Sequence, residues 1–156
     1  MVAFGLSRRV RAILLAALVG GIVVASAPAG AALRRVVKVE RVAHIGTVLF
    51  SERGFALYTY SSDTKNHSNC NGSCLAAWPA LTVAKGVTPT GIAGLGVIVR
   101  SNGKHQVTWH GKPLYTFTSD TKGKVTGNGV AGFHAAIVTK ASTGATTTTA
   151  TKSYGY

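Results

Sequence analysis

The chain has 156 residues and carries 17 Lys and Arg against 4 Asp and Glu, for a formal charge of +13. With only Glu40, Glu52, Asp63 and Asp120 negative, the expected partners are anionic. No run of five or six basic residues is present, so the charge reads as a general solvated surface rather than a dedicated basic tract.

Arg8, Arg9 and Arg11 precede an apolar run from Ala12 to Ala27, which reads as an export signal. The run is short for a membrane span, and Ala29-Gly30-Ala31 offers a small-residue cleavage site. Residues 1–31 are therefore assigned to a signal peptide using the general secretory route, leaving a mature charge of about +10. No cysteine stands near the end of the run to accept a lipid, so no stable membrane anchor is expected after cleavage. The remaining length suffices for one compact core and not for two.

Residues 32–45 alternate apolar and basic side chains, notably Val37-Lys38-Val39-Glu40, and read as an exposed first strand or extended lead-in. A two-repeat β domain is expected over residues 46–140. In repeat one, about 46–81, Thr47 to Phe50 and Phe55 to Tyr60 flank Ser51-Glu52-Arg53-Gly54 as a hairpin. Ser73 to Trp78 is expected to make one helical turn, ended by Pro79. Residues 82–94 read as a glycine and threonine linker. In repeat two, about 95–138, Val97 to Arg100 and Gln106 to Trp109 flank Asn102-Gly103, a strong hairpin signal, and Lys112 to Phe117 follows. Residues 123–132 read as a glycine-rich loop and Phe133 to Val138 as a closing strand. Residues 141–156, rich in Thr, Ala, Ser and Gly, are expected to be a disordered tail.

The two halves share a nonamer. Leu57-Tyr-Thr-Tyr-Ser-Ser-Asp-Thr-Lys65 returns as Leu114-Tyr-Thr-Phe-Thr-Ser-Asp-Thr-Lys122, and Gly54 and Gly111 keep the same offset of 57 positions. Strand alternation puts Tyr58 with Tyr60, and Tyr115 with Phe117, on one face, and Leu57 and Leu114 on the other. Asp63 and Asp120 fall just beyond the strands. There a carboxylate can close an Asx-turn on an amide two residues on, or accept a tyrosine hydroxyl. On this reading the repeat is a folding device, with aromatics filling the core and aspartates fixing the exit turns.

A tyrosine, an aromatic two residues later and an aspartate three further on, present twice, resembles the bacterial family described as secreted repeat of unknown function, whose lipoprotein members share a Tyr-x-(Phe/Trp/Tyr)-x-x-Asp motif. Asn69-Cys70-Asn71-Gly72-Ser73-Cys74 followed by Ala76-Ala77-Trp78-Pro79 looks like that family's cysteine segment. The resemblance spans roughly Gly46 to Val138. It implies an envelope or extracellular location and carries no established chemistry.

Cys70 and Cys74, both in the exported part, favour a disulfide, since an even cysteine count outside the cell is readily oxidised. The competing metal set would be His67, Cys70 and Cys74, completed by His44, His105, His110 or His134, with copper or zinc as the ion. Gly127 to Gly132 matches the Gly-x-Gly-x-x-Gly spelling, but no long helix follows and no acidic residue occurs after Asp120, so dinucleotide binding is not expected. Asp63 and Asp120 could serve as paired carboxylates only if the repeats brought them together, and Lys65 and Lys122 favour both staying ionised. No nucleophile-elbow spelling occurs, so no catalytic residues and no cofactor are assigned. Trp78 and Trp109 are the aromatics expected to be partly exposed, yet export argues against nucleic acid.

These observations predict an all-β protein of two homologous antiparallel repeats, packed as one small sandwich or partly closed barrel with one helical turn near the cysteines. The expected function is that of a non-enzymatic envelope or secreted module for an anionic cell-wall component or an envelope protein. A copper- or redox-associated accessory role is the alternative. Differences between the copies, above all His67 to Trp78 and Gly123 to Gly132, are where function is sought.

Overall fold

The computed structural model describes residues 30–139. The signal peptide, but for its last two residues, and the tail expected over residues 141–156 lie outside that range. No helix among the described residues is long and apolar enough to cross a membrane.

Strands dominate and helix is nearly absent. In chain order they are β1 (Ala32–Arg35), β2 (Val37–Val42), β3 (Gly46–Ser51) and β4 (Tyr58–Tyr60), then after the helix α1 (Ser73–Ala77) β5 (Thr82–Val83), β6 (Val87–Thr90), β7 (Leu95–Val99), β8 (His105–Trp109), β9 (Lys112–Pro113) and β10 (Phe133–Ala135). They pair in small ladders that do not close into a barrel: β2 with β3, β10 with β4, and β5-β8-β7 with β9 added to β8, all antiparallel. One pair departs from the antiparallel expectation, because β1 runs parallel to β6.

That parallel pair also revises two segments. The lead-in of residues 32–45 is two paired strands, and Val37 is fully buried in the core. The linker of residues 82–94 contributes β5 and β6, and Gly91 passes so close to Val37 that a Cβ would lie 1.7 Å from its carbonyl oxygen. Composition misled here, since strand pairing depends on a distant partner that local glycine and threonine content does not reveal.

Each half is built on the same backbone motif. Leu49, Leu57 and Ala136 form a closed ring of three bonds: Leu57 N–H to Leu49 O, Leu49 N–H to Ala136 O and Ala136 N–H to Leu57 O, each 2.8–2.9 Å. Val107, Leu114 and Leu81 form the matching ring, from Leu114 N–H to Val107 O, Val107 N–H to Leu81 O and Leu81 N–H to Leu114 O. The rings show that the repeat offset changes across the hairpin turn. Leu57 and Leu114 differ by 57, whereas Leu49 and Val107 differ by 58, because the first turn has three residues and the second two. His110 (φ 48°) and Gly111 (φ 77°) both take left-handed backbone, the geometry of a two-residue turn; in the longer turn Gly54 (φ 89°) does so alone. Register is therefore shared after the turn and displaced by one before it.

Two clusters of buried side chains lie on opposite faces of the nonamer strands, as the alternation predicts. Leu57 and Leu114 join Val37, Leu49, Val107 and Trp109 in one. Tyr58 and Tyr115 join Val48, Phe50, Trp78 and Phe133 in the other, with Tyr60 and Phe117 packed against it. The two tryptophans expected to be partly exposed are both core residues, at 3% and 8% exposure. Trp78 is covered by rings from both repeats, and the indole N–H of Trp109 is satisfied by Ala93 O at 3.2 Å.

Candidate functional site

The nonamers meet at their tyrosines. Tyr58 N–H donates to Tyr115 O at 2.9 Å and Tyr115 N–H to Tyr58 O at 3.0 Å, so each copy of the motif is the other's strand partner. The side chains then cross over. Tyr58 Oη donates to Asp120 Oδ2 and Tyr115 Oη donates to Asp63 Oδ2, both at 2.7 Å. Each motif's tyrosine thus serves the aspartate of the opposite motif. The second oxygen of each carboxylate holds its own loop, Asp63 Oδ1 accepting Asn69 N–H and Asp120 Oδ1 accepting Thr126 N–H, each at 2.8 Å and six residues on. The aspartates do accept tyrosine hydroxyls and shape the exit loops, but through a wider closure than the two-residue Asx-turn considered from the sequence.

Further reciprocal contacts lock the halves. Asn66 N–H donates to Gly111 O at 2.7 Å and Gly123 N–H to Gly54 O at 2.9 Å, so the end of each nonamer clasps the hairpin turn of the other repeat. Between them four rings stack in series: Tyr60 on Phe133 (4.3 Å), Phe133 on Trp78 (3.9 Å) and Trp78 on Phe117 (4.2 Å). Tyr58 and Tyr115 close the stack edge-on, against Trp78 and Phe133.

Desolvation governs the electrostatics of this centre. Burial raises the Asp63 carboxyl above its usual range, opposed by the Asn69 amide, the Tyr115 hydroxyl and the charges of Arg100 and His67. Burial, reinforced by the bond to Asp63, pushes the Tyr115 phenol up to about 12. The Tyr58 phenol is pushed up further, by burial and then by Asp120. Both tyrosines are held as neutral hydrogen-bond donors.

Departures from this reciprocity lie where the repeats differ in sequence. Cys70 and Cys74 form a disulfide that ties the loop after Asp63 to α1. With both sulfurs bonded to each other, the set His67, Cys70 and Cys74 has no thiolate to offer a metal. In repeat two the matching place is taken by the glycine loop, where Gly127 N–H donates to Tyr58 Oη at 3.1 Å and a Cβ on Gly127 would lie 2.6 Å from the Trp78 ring. The dinucleotide-like spelling has separate local causes: close approach to Trp78 at Gly127, to Ser61 Oγ and Tyr60 at Gly132, and a left-handed backbone (φ 83°) in open space at Gly129. Asp63 and Asp120 are each occupied by a different tyrosine and a different loop amide.

Two features escaped the sequence analysis. Arg100, 8% exposed, stands where the first repeat has Val42, and its neighbour Gln106 stands where it has Val48. The Arg100 guanidinium donates to Ser68 Oγ, Gln106 Oε1, Cys70 O and Asn71 Oδ1, bracing the disulfide loop. Since Tyr115 gives its one proton to Asp63, Ser68 Oγ donates to Tyr115 Oη at 2.6 Å, and a directed chain runs from Arg100 through Ser68 and Tyr115 to Asp63. Aligning the repeats with the one-residue change at the turn would have exposed this pair as polar replacements in an apolar position.

The second feature is a groove of about 470 Å³ whose walls include Arg34, Arg35, Arg53, Phe55, Thr82 and Phe117. Glu52 is the only carboxylate lining it, and it pairs with Arg35 at 2.9 Å. Arg34 and Arg53 make no ion pair among the described residues. The adjacent Arg34 and Arg35 meet the distant Arg53 because the end of β1 lies beside the first hairpin turn, Glu52 N–H donating to Val36 O.

A two-repeat, disulfide-bearing β fold with motif tyrosines and aspartates paired across the repeats defines the class of protein. The pattern of the family described as secreted repeat of unknown function matches residues 41–82 and 96–136, and the chain belongs to that family. Both matched segments contain a nonamer, and the protein is accordingly a secreted, extracytoplasmic one, as its disulfide also fits. No curated protein and no solved structure matches the chain.

Proposed function

We propose that this secreted repeat protein is a non-enzymatic binding module of the cell envelope, holding an anionic wall polymer in the groove between β1 and the first hairpin turn. The observation that carries the reading is the set Arg34, Arg35 and Arg53 around one groove with a single carboxylate among them. Arg34 and Arg53 are free to bind acidic groups, and guanidinium forks suit phosphodiester and carboxylate oxygens alike. Phe55 and Phe117 add apolar walls suited to the ring faces or linkers between charges. The excess of positive charge over the whole chain would draw such a polymer from a distance. A non-enzymatic role agrees with the engagement of Asp63 and Asp120 in structural bonds.

Co-sedimentation of the oxidised protein with purified wall material, at increasing sodium chloride, tests this. Retention should fall with salt, and Arg34→Ala with Arg53→Ala should weaken binding by about 30-fold, taking about 1 kcal/mol for each exposed charge contact. Salt-independent retention, or full retention by the double variant, would contradict it.

A further inference from the structure

A second cavity, of about 260 Å³, lies between the disulfide loop and the end of β7, with Asn66, His67, Asn71, Val99 and Arg100 in its lining. At its base lies the buried guanidinium of Arg100, which makes no ion pair among the described residues. Its acceptors Ser68, Gln106, Cys70 O and Asn71 are all uncharged. Apart from the longer-range attraction of Asp63, the guanidinium meets only dipoles, and it leaves a positive potential in the space it borders. Asn71 turns its Oδ1 to Arg100, so its amide donors point away from the guanidinium. Asn66, Ser101 and His67 bring further side-chain donors to the rim, while Ile98, on the same strand face as Arg100, adds an apolar wall and the exposed Val99 stands at the mouth.

We propose that this cavity binds a small monocarboxylate with a short aliphatic body, the carboxylate lying over Arg100 and the body against Ile98 and Val99. All four terminal N–H groups of Arg100 are already given to protein acceptors, so the anion meets the charge from above and takes its hydrogen bonds from the Asn71 amide and the rim donors, a match for one singly charged planar group. The apolar wall fits the rest of such a ligand. The first repeat has no counterpart, since Val42 and Val48 stand in place of Arg100 and Gln106, so the site belongs to the difference between the copies. It does not rest on the arginine groove and uses none of its residues.

The test is titration of isotopically labelled, oxidised protein with N-acetylleucine and with N-acetylleucinamide, at constant ionic strength, following backbone amide resonances. Saturable shifts at His67 to Asn71 and Ile98 to Ser101 are expected with the acid, and binding of the uncharged amide at least tenfold weaker. Val99 is 67% exposed, so Val99→Glu should leave the fold intact while placing a competing carboxylate at the mouth. It should abolish the shifts, and Val99→Thr should retain them. A blocked tripeptide ending in leucine distinguishes the source of the carboxylate: tighter binding than N-acetylleucine assigns a peptide terminus, equal binding a free small acid. Equal response to acid and amide, shifts confined to the groove of Arg34 and Arg53, or indifference to Val99→Glu would overturn the proposal.

Discussion

Trp78 and Phe133 lie face to face, ring centres 3.9 Å apart and planes 4° from parallel, one from each repeat. Both sit at the start of a segment that runs on into a backbone ring, Trp78 three residues before Leu81 and Phe133 three before Ala136. They are the same position in the two copies, filled by different aromatics and pressed together at the centre of the molecule. Around this contact the crossed tyrosine and aspartate bonds are arranged.

Tyr58→Phe and Tyr115→Phe should each destabilise the protein by about 1–3 kcal/mol, because each leaves a carboxylate short of a donor. Double-mutant cycles distinguish the crossed pairing from a local one. Tyr58→Phe should couple to Asp120→Asn and not to Asp63→Asn, and Tyr115→Phe the reverse, measured by urea unfolding. Additivity in the crossed pairs would refute the arrangement.

At alkaline pH the sign follows from the raised phenols. Tyr115 binds its proton more tightly folded than unfolded, so its contribution is complete below the unfolded value of about 10 and is lost as pH rises towards about 12. Tyr58 acts in the same sense. Stability should therefore decline above about pH 10, and part of the tyrosinate absorbance should appear only together with loss of near-ultraviolet circular dichroism. Ionisation of all tyrosines with the near-ultraviolet signal intact would contradict this. Asp63 is also raised, so its contribution is present below its unfolded value and is lost as pH rises through its raised folded value. Asp63→Asn removes that dependence while keeping an acceptor for Asn69, and should flatten the stability profile above the unfolded carboxyl value of about 4.

Gly127→Ala places a methyl group 2.6 Å from the Trp78 ring and 3.0 Å from Phe117, inside the four-ring stack. Overpacking there should cost about 1–3 kcal/mol and shift tryptophan emission. Gly123→Ala is the comparison, having no atom within 4 Å of the added carbon; its cost should come from its backbone angle (φ 74°) alone and leave the emission unchanged.

Reduction of Cys70–Cys74, or Cys70→Ser with Cys74→Ser, should lower stability by about 2 kcal/mol, the scale for so short a closed loop. Amides that exchange only by global unfolding, such as those in the ring of Leu49, Leu57 and Ala136, should lose protection by that same amount, whereas residues 66–78 should lose more through local opening; equal acceleration in both groups would argue otherwise.

Much of the scaffold was legible in the chain, for reasons that are local. The alternation in Leu57 to Tyr60 and Leu114 to Phe117 sorted side chains correctly between the two buried clusters, because a strand has no other way to place them. Both hairpins, the helical turn, the closing strand and the disulfide also followed from turn residues and cysteine count. What was not legible needed partners. Nothing in Tyr58 says that its acceptor is Asp120, 62 positions away, and the lead-in became strands β1 and β2 only through β6 and β3. Trp78 and Trp109 were expected to be partly exposed; the alternation of Val107 and Trp109 with Gln106 and Thr108 does signal burial of the second, whereas the first is covered by rings from the other half. Arg100 was hidden by the one-residue difference between the hairpin turns, which moves the repeat alignment off its constant offset on one side.

The crossed bonds make each half the missing complement of the other, and that has a consequence for dilution. Within one chain the complementary half is always present at the effective concentration set by residues 82–94, so the pairing is indifferent to how much protein there is. A cut in that segment would turn an intramolecular closure into an association. Stability would then rise and fall with the amount of protein in the tube, although every contact in the assembled molecule stayed the same.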